Sequence, residues 1–157
     1  MEKLIVQKHL IRVAVRNQRQ FLSLTDMAKI KPYDTGVVLS NWLNTKKTLE
    51  FLGKWEGERY PSTFNHIEFN RIKARIGRTS RRISIREWIN STGAQGIEAV
   101  PGRYGGTFAV LEIATEFASW LAPGFKVKLN AELKTWAEWE RRADWVRAQY
   151  TPFESMF

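Results

Sequence analysis

Between Arg71 and Arg86 the chain carries seven basic side chains (Arg71, Lys73, Arg75, Arg78, Arg81, Arg82 and Arg86) and no acidic one, with isoleucines threaded through them at helical spacing. That many unpaired cations cannot share a core, so the isoleucines must mark the inner side of any helix here and the arginines its outer side. A packed element with a cationic outer face is an electrostatic footprint for nucleic acid.

The positive charge is segregated. Residues 1–31 hold seven cations against two acids, residues 61–82 six against one, and residues 83–157 eight against nine. The net charge of +9 favours a polyanionic partner, and an apolar fraction of 43% over 157 residues is enough for one domain with a real core. There is no cysteine, which excludes disulfides, thiolate zinc sites and thiol catalysis and fits a reducing cytoplasm. Every apolar run near the N-terminus is interrupted by Lys, Gln, His or Arg. No signal peptide or membrane span is therefore expected there.

Residues 4–15 are rich in β-branched side chains, and a polar stretch from Arg16 to Gln20 separates them from Phe21, Leu22 and Leu24. The pattern predicts a β-hairpin with a polar turn. Thr25 is expected to cap a short helix that stops before Pro32, and further helices are expected at about 34–44 and 46–56. The basic segment divides into two helices. In the first, Phe69, Ile72 and Ile76 share a face, and Gly77 is a natural stop. The second starts at Ser84, which forms a Ser-x-x-Glu capping box with Glu87, and it buries Ile85, Trp88, Ile89 and Thr92. Two short strands, I-E-A-V and T-F-A-V, then flank a glycine-rich tip that bears Arg103 and Tyr104. A helix over about 111–121 follows, broken at Pro123-Gly124, and a long helix over 124–149 carries an apolar stripe from Phe125 through Leu129, Leu133, Trp136 and Trp139 to Val146. Helix, turn, helix, hairpin is the order of a winged helix-turn-helix. The expectation is one α+β domain over 1–157 with that core, an N-terminal β-hairpin and a long C-terminal helix.

Several stretches resemble the KilA-N domain family of phage, prophage and large DNA-virus proteins, whose core is related to the fungal APSES transcription factors. They are L-T-D-M-A-K at Leu24–Lys29, S-N-W-L-N-T-K-K-T-L-E-F-L-G-K-W-E at Ser40–Glu56, F-N-x-I-E-F at Phe64–Phe69, and G-R-Y-G-G-T-F-A at Gly102–Ala109, which runs on into E-I-A-T-E-F-A-S-W-L. Tyr60-Pro61 and Val110-Leu111-Glu112 depart from the family pattern; neither lies on the expected DNA face, and they are expected to alter packing or partner contacts. The resemblance implies duplex-DNA binding by a phage- or prophage-type transcriptional regulator. Residues 84–92 would be the recognition helix and 102–106 the wing.

Residues 71–82 would then anchor phosphates through Arg71, Lys73, Arg75, Arg78, Arg81 and Arg82. Ser84, Arg86 and Asn90 would lie at the bases, since Asn suits adenine and Arg suits guanine in the major groove. Arg103 and Tyr104 would meet the neighbouring backbone or minor groove. Trp42, Trp88 and Trp120 fall on apolar helix faces and are expected in the core, whereas Trp136, Trp139 and Trp145 could form a homodimer or protein-partner surface. The alternative reading is accordingly an adaptor or antirepressor-like factor acting through the C-terminal helix. His9 and His66 lack ligand neighbours at metal-binding spacing, and no phosphate-binding loop, nucleophile elbow or dinucleotide fingerprint is present. No enzyme activity, cofactor or metal is expected, and a Mg²⁺-dependent nuclease is the weakest reading.

Overall fold

The computed structural model describes residues 2–76, 78 and 81–154, with side chains through residue 138 and at 141. In chain order these form β1 (Glu2–Val6), β2 (His9–Arg16), β3 (Arg19–Ser23), α1 (Leu24–Ala28), α2 (Thr35–Leu43), α3 (Lys46–Arg59), α4 (His66–Arg75), α5 (Ile85–Thr92), β4 (Ile97–Val100), β5 (Gly106–Val110), α6 (Leu111–Leu121) and α7 (Pro123–Glu154). The strands make one antiparallel sheet in the order β1-β2-β3-β5-β4. The fold is α+β, and it fits the KilA-N expectation.

The N-terminal region is a three-stranded meander rather than one hairpin. The expected polar turn is present at Asn17 and Gln18, and a second lies at Gln7 and Lys8, inside the stretch taken as one strand. All four residues have positive φ, between 50° and 69°, as a two-residue turn matching the sheet's twist requires. Gln-Lys lacks the Asn-Gly chemistry that normally announces such a turn.

The strand β3 passes into α1 without a loop, and the cap of α1 is Ser23, not Thr25: the Ser23 hydroxyl accepts from the Asp26 N–H. The Thr25 hydroxyl instead accepts from the Thr107 N–H on β5. The helices α2 and α3 start at the side-chain caps Asp34 and Thr45. Trp42 and Trp88 are fully buried, but Trp120, expected in the core, is 43% exposed and stacks on Phe117. Pro123 is the first residue of α7, where its missing N–H costs nothing. Phe125 and Leu129 are buried, Leu133 and Trp136 pack against the core, and α7 lies on α6 and β1. The apolar stripe of α7 is thus part of the domain as far as Trp136; Trp139, Trp145 and Val146 lie outside the described side chains. At the two departures from the family pattern, Tyr60 closes α3 and Glu112 pairs with Arg59 at 3.0 Å.

Candidate nucleic-acid interface

The basic segment divides by what its cations touch. On α4, Arg71 pairs with Glu68 at 2.9 Å, Lys73 with Glu50 at 3.5 Å, and Arg75 with Glu87 of α5 at 2.7 Å. The first of these is an exposed pair within one turn and is weak. Arg75 is different: its side chain is 20% exposed, and it ties α4 to α5. Beyond α4, Arg78 and Arg86 are exposed, and neither has an ion-pair partner among the described residues. Arg82 donates from Nη2 to Asn41 Oδ1 at 2.8 Å and from Nε to Ser40 Oγ at 3.2 Å. Because those acceptors are neutral, Arg82 keeps its full positive charge. Arg81 is exposed. Phe69, Ile72 and Ile76 face inward as expected. The helix ends at Arg75, with Ile76 as an extended cap; the expected stop, Gly77, lies outside the described residues.

Ser84 caps α5 by accepting from the Glu87 N–H at 3.1 Å. The Glu87 carboxylate does not complete a capping box but goes to Arg75. Trp88 and Thr92 are buried, Ile85 and Ile89 pack against the core, and Gly93 ends the helix at φ 71°. Arg86 and Asn90 remain exposed one turn apart. With Ile89 they line a groove of about 470 Å³ whose other walls include Arg16, Asn17, Gln95 and Glu98.

The helical pair α2–α3 is the frame for this segment. Asn44 accepts from the Ile83 N–H at 2.8 Å and donates to the Ile83 carbonyl at 2.9 Å, fixing the peptide just ahead of α5. Behind α5, the Glu56 carboxylate, 1% exposed, accepts from the N–H groups of Gln95 and Gly96. Burial pushes the Glu56 carboxyl above its ordinary value, and the hydrogen bonds from Gln95 and Gly96 and the charge of Arg19 only partly offset that rise. A Cβ at position 53 would collide with the Phe69 ring, so Gly53 lets α4 lie directly on α3. Ser40–Glu56 carries the family resemblance, but nothing in it announces that Ser40, Asn41 and Asn44 hold the basic segment at Arg82 and Ile83 or that Glu56 holds the turn after α5. The partners lie about forty residues apart, and nothing local reveals them.

The tip between β4 and β5 turns through Gly102 and Gly106, at φ 101° and 139°. A Cβ at Gly105 would strike the Val100 carbonyl. Arg103 and Tyr104 are exposed, the guanidinium lying 5.7 Å from the ring centre. The root of this tip is held by Arg12 on β2, whose Nη1 donates to the Tyr104 carbonyl at 2.6 Å and whose Nη2 donates to the Gly105 carbonyl at 3.0 Å. Arg12 Nε and its backbone N–H both donate to Asp26 Oδ2, at 2.8 and 2.9 Å. Burial raises the Asp26 carboxyl, but the hydrogen bonds and charge of Arg12, with the charge of Lys29, outweigh it and hold the carboxyl below its ordinary value.

Among the described residues, no group of three or more His, Cys, Asp or Glu could hold a metal ion, and no helix is long and apolar enough to cross a membrane. The family model of the KilA-N domain matches residues 6–138. No curated protein and no solved structure matches the chain.

Proposed function

Because the chain belongs to the KilA-N domain family, a family of DNA-binding domains, we propose that it is a non-enzymatic, duplex-DNA-binding transcriptional regulator of the phage or prophage type, working in the cytoplasm through a winged helix-turn-helix. The observation that carries this reading is the exposed pair Arg86 and Asn90, one turn apart on a short helix held at both ends. Residues built to read bases must be exposed, fixed in direction and free of internal charge partners. Around them, Arg78, Arg81, Arg82 and the Arg103 tip supply phosphate contacts. Arg71 and Lys73 add to the field from α4. Arg75 acts by tying α4 to α5 and Ser84 by capping α5, and Tyr104 orients Arg103.

Selection from a random duplex pool at two salt concentrations tests this. A consensus that survives the higher salt is expected, and Arg86→Ala and Asn90→Ala should each change it, since a lost bidentate base contact is worth about 1–3 kcal/mol of discrimination. Binding with no consensus, unaltered in both variants, would reject α5 as the reading helix. The adaptor reading has less to stand on, because the stripe of α7 up to Trp136 is packed against the domain's own core.

A further inference from the structure

The lysines of residues 1–31 have no part in the reading above, and the topology gathers two of them beside the wing. The Gln7-Lys8 turn and the β4–β5 tip lie at the same end of the sheet, because β2 leaves the first as β5 leaves the second, with β3 antiparallel between them. In the strand order β1-β2-β3-β5-β4 the two hairpins are three strand positions apart, a separation of roughly 14 Å at a strand spacing of about 4.8 Å. The cleft between them has a volume of about 460 Å³ and is lined by Lys8, Leu10, Lys29, Arg103 and Tyr104, with the Arg12–Asp26 pair at its base.

We propose that this cleft is a second DNA contact: it takes one sugar-phosphate strand of the duplex, with Lys8 and Lys29 on one wall and Arg103 on the other, so that the β1–β2 turn works as a second wing. The inference rests on the duplex-binding reading and extends it. The charge suits the occupant. Arg12 is neutralised by Asp26, whereas Lys8 and Arg103 have no ion-pair partner among the described residues, and Lys29 reaches Asp26 only at 3.5 Å with 62% of its side chain exposed. The surface between the charges suits it too. Leu10 is 48% and Tyr104 76% exposed, and these offer apolar area to deoxyribose where lysines alone would offer none. Position is constrained as well: Lys8 sits in a turn whose backbone is pinned at both sides by the β1–β2 ladder, so its charge stays within a side chain's reach of the cleft.

The test compares the wild-type chain with the Lys8→Gly/Lys29→Ala variant on a labelled duplex of mixed sequence, over a range of salt. Glycine is chosen at position 8 because φ there is 69°, a conformation glycine adopts without strain. Losing two phosphate contacts should make the slope of log affinity against log salt shallower by about 2 and weaken binding at about 0.1 M salt by roughly 10- to 100-fold. The thermal midpoint should not fall. Arg86→Ala is measured alongside. If wild type binds and Arg86→Ala weakens it, but the double variant keeps the wild-type slope, the cleft is not a DNA contact and the α5 reading stands. If wild type does not bind duplex DNA at all, both readings fall.

Discussion

Two short helices of this domain begin alike and end up tied differently. The helix α1 starts Ser23-x-x-Asp26 and α5 starts Ser84-x-x-Glu87, and in each the serine accepts from the backbone N–H of the acid. In neither does the acid's contact complete a local box: Asp26 goes to Arg12 and Glu87 to Arg75, each on another element. The difference lies in burial and in what the arginine does next. Asp26 and Arg12 are 5% and 18% exposed, and Arg12 continues to two carbonyls of the β4–β5 tip; Glu87 and Arg75, at 28% and 20%, share one close contact at 2.7 Å. One local signal therefore yields a buried tie that reaches the β4–β5 tip and a more exposed tie between α4 and α5.

The sharpest way to break that contrast is to remove Asp26. Asp26→Ala leaves the Arg12 guanidinium buried without its carboxylate and should cost about 3–5 kcal/mol in a urea-denaturation measurement. Glu87→Ala should cost less, about 1.5–3 kcal/mol, the range for a hydrogen bond to a charged group, because Glu87 is 28% exposed where Asp26 is 5%. Equal losses would mean that the two ties are equivalent. The pH dependence gives a second readout. The folded-state carboxyl of Asp26 lies below its ordinary value of 3.8, so its contribution is present above that value and is lost as pH falls through the lowered one. In Asp26→Ala that acid limb of the stability profile should flatten.

Glu56, which holds the far end of α5, should behave in the opposite sense. Glu56→Ala leaves the buried Gly96 N–H and the part-buried Gln95 N–H without their acceptor and should cost about 2–6 kcal/mol by the same measurement, at about 1–3 per unpaired group. The folded-state carboxyl is raised above its ordinary 4.5, so its charged form opposes folding at neutral pH. Its contribution to stability improves as pH falls through the raised value toward 4.5. Glu56→Gln should remove that improvement, and a stability profile unchanged from wild type between neutral pH and 4.5 would contradict the buried-carboxylate account.

What could be read in the sequence is what is local. Ser84 as a cap, the β4–β5 hairpin and the inward face of α4 all rest on residues within a turn or two of one another. The anchors rest on pairs far apart in the chain, such as Asn44 with Ile83 and Arg12 with the 104–105 carbonyls. A strand arginine or an asparagine just past a helix end looks like ordinary surface until the fold brings its partner. Ser23 was missed because it is both the last strand residue and the cap, leaving no loop to announce a helix. Trp120 misled because it lies at the border of α6's apolar face, where one ring surface covers Phe117 and the other meets solvent.

The smallest effect tests whether the frame prepares charge for DNA or merely supports the fold. Asn41 is exposed and contacts Arg82 Nη2 at 2.8 Å, so Asn41→Ala should leave the denaturation midpoint unchanged. Its consequence should be confined to binding. Arg82 would lose its preset direction, and ordering one long side chain at an interface is worth about 0.5–1.5 kcal/mol, a drop of roughly two- to ten-fold in duplex affinity. The salt slope should stay at the wild-type value, because Arg82 still carries its charge to the phosphate. Arg82→Ala, by contrast, should lower both the affinity and the slope, by about 1 in the latter. If Asn41→Ala shifted the slope as Arg82→Ala does, Asn41 itself would be meeting the backbone, and α2 would belong to the interface rather than to its frame.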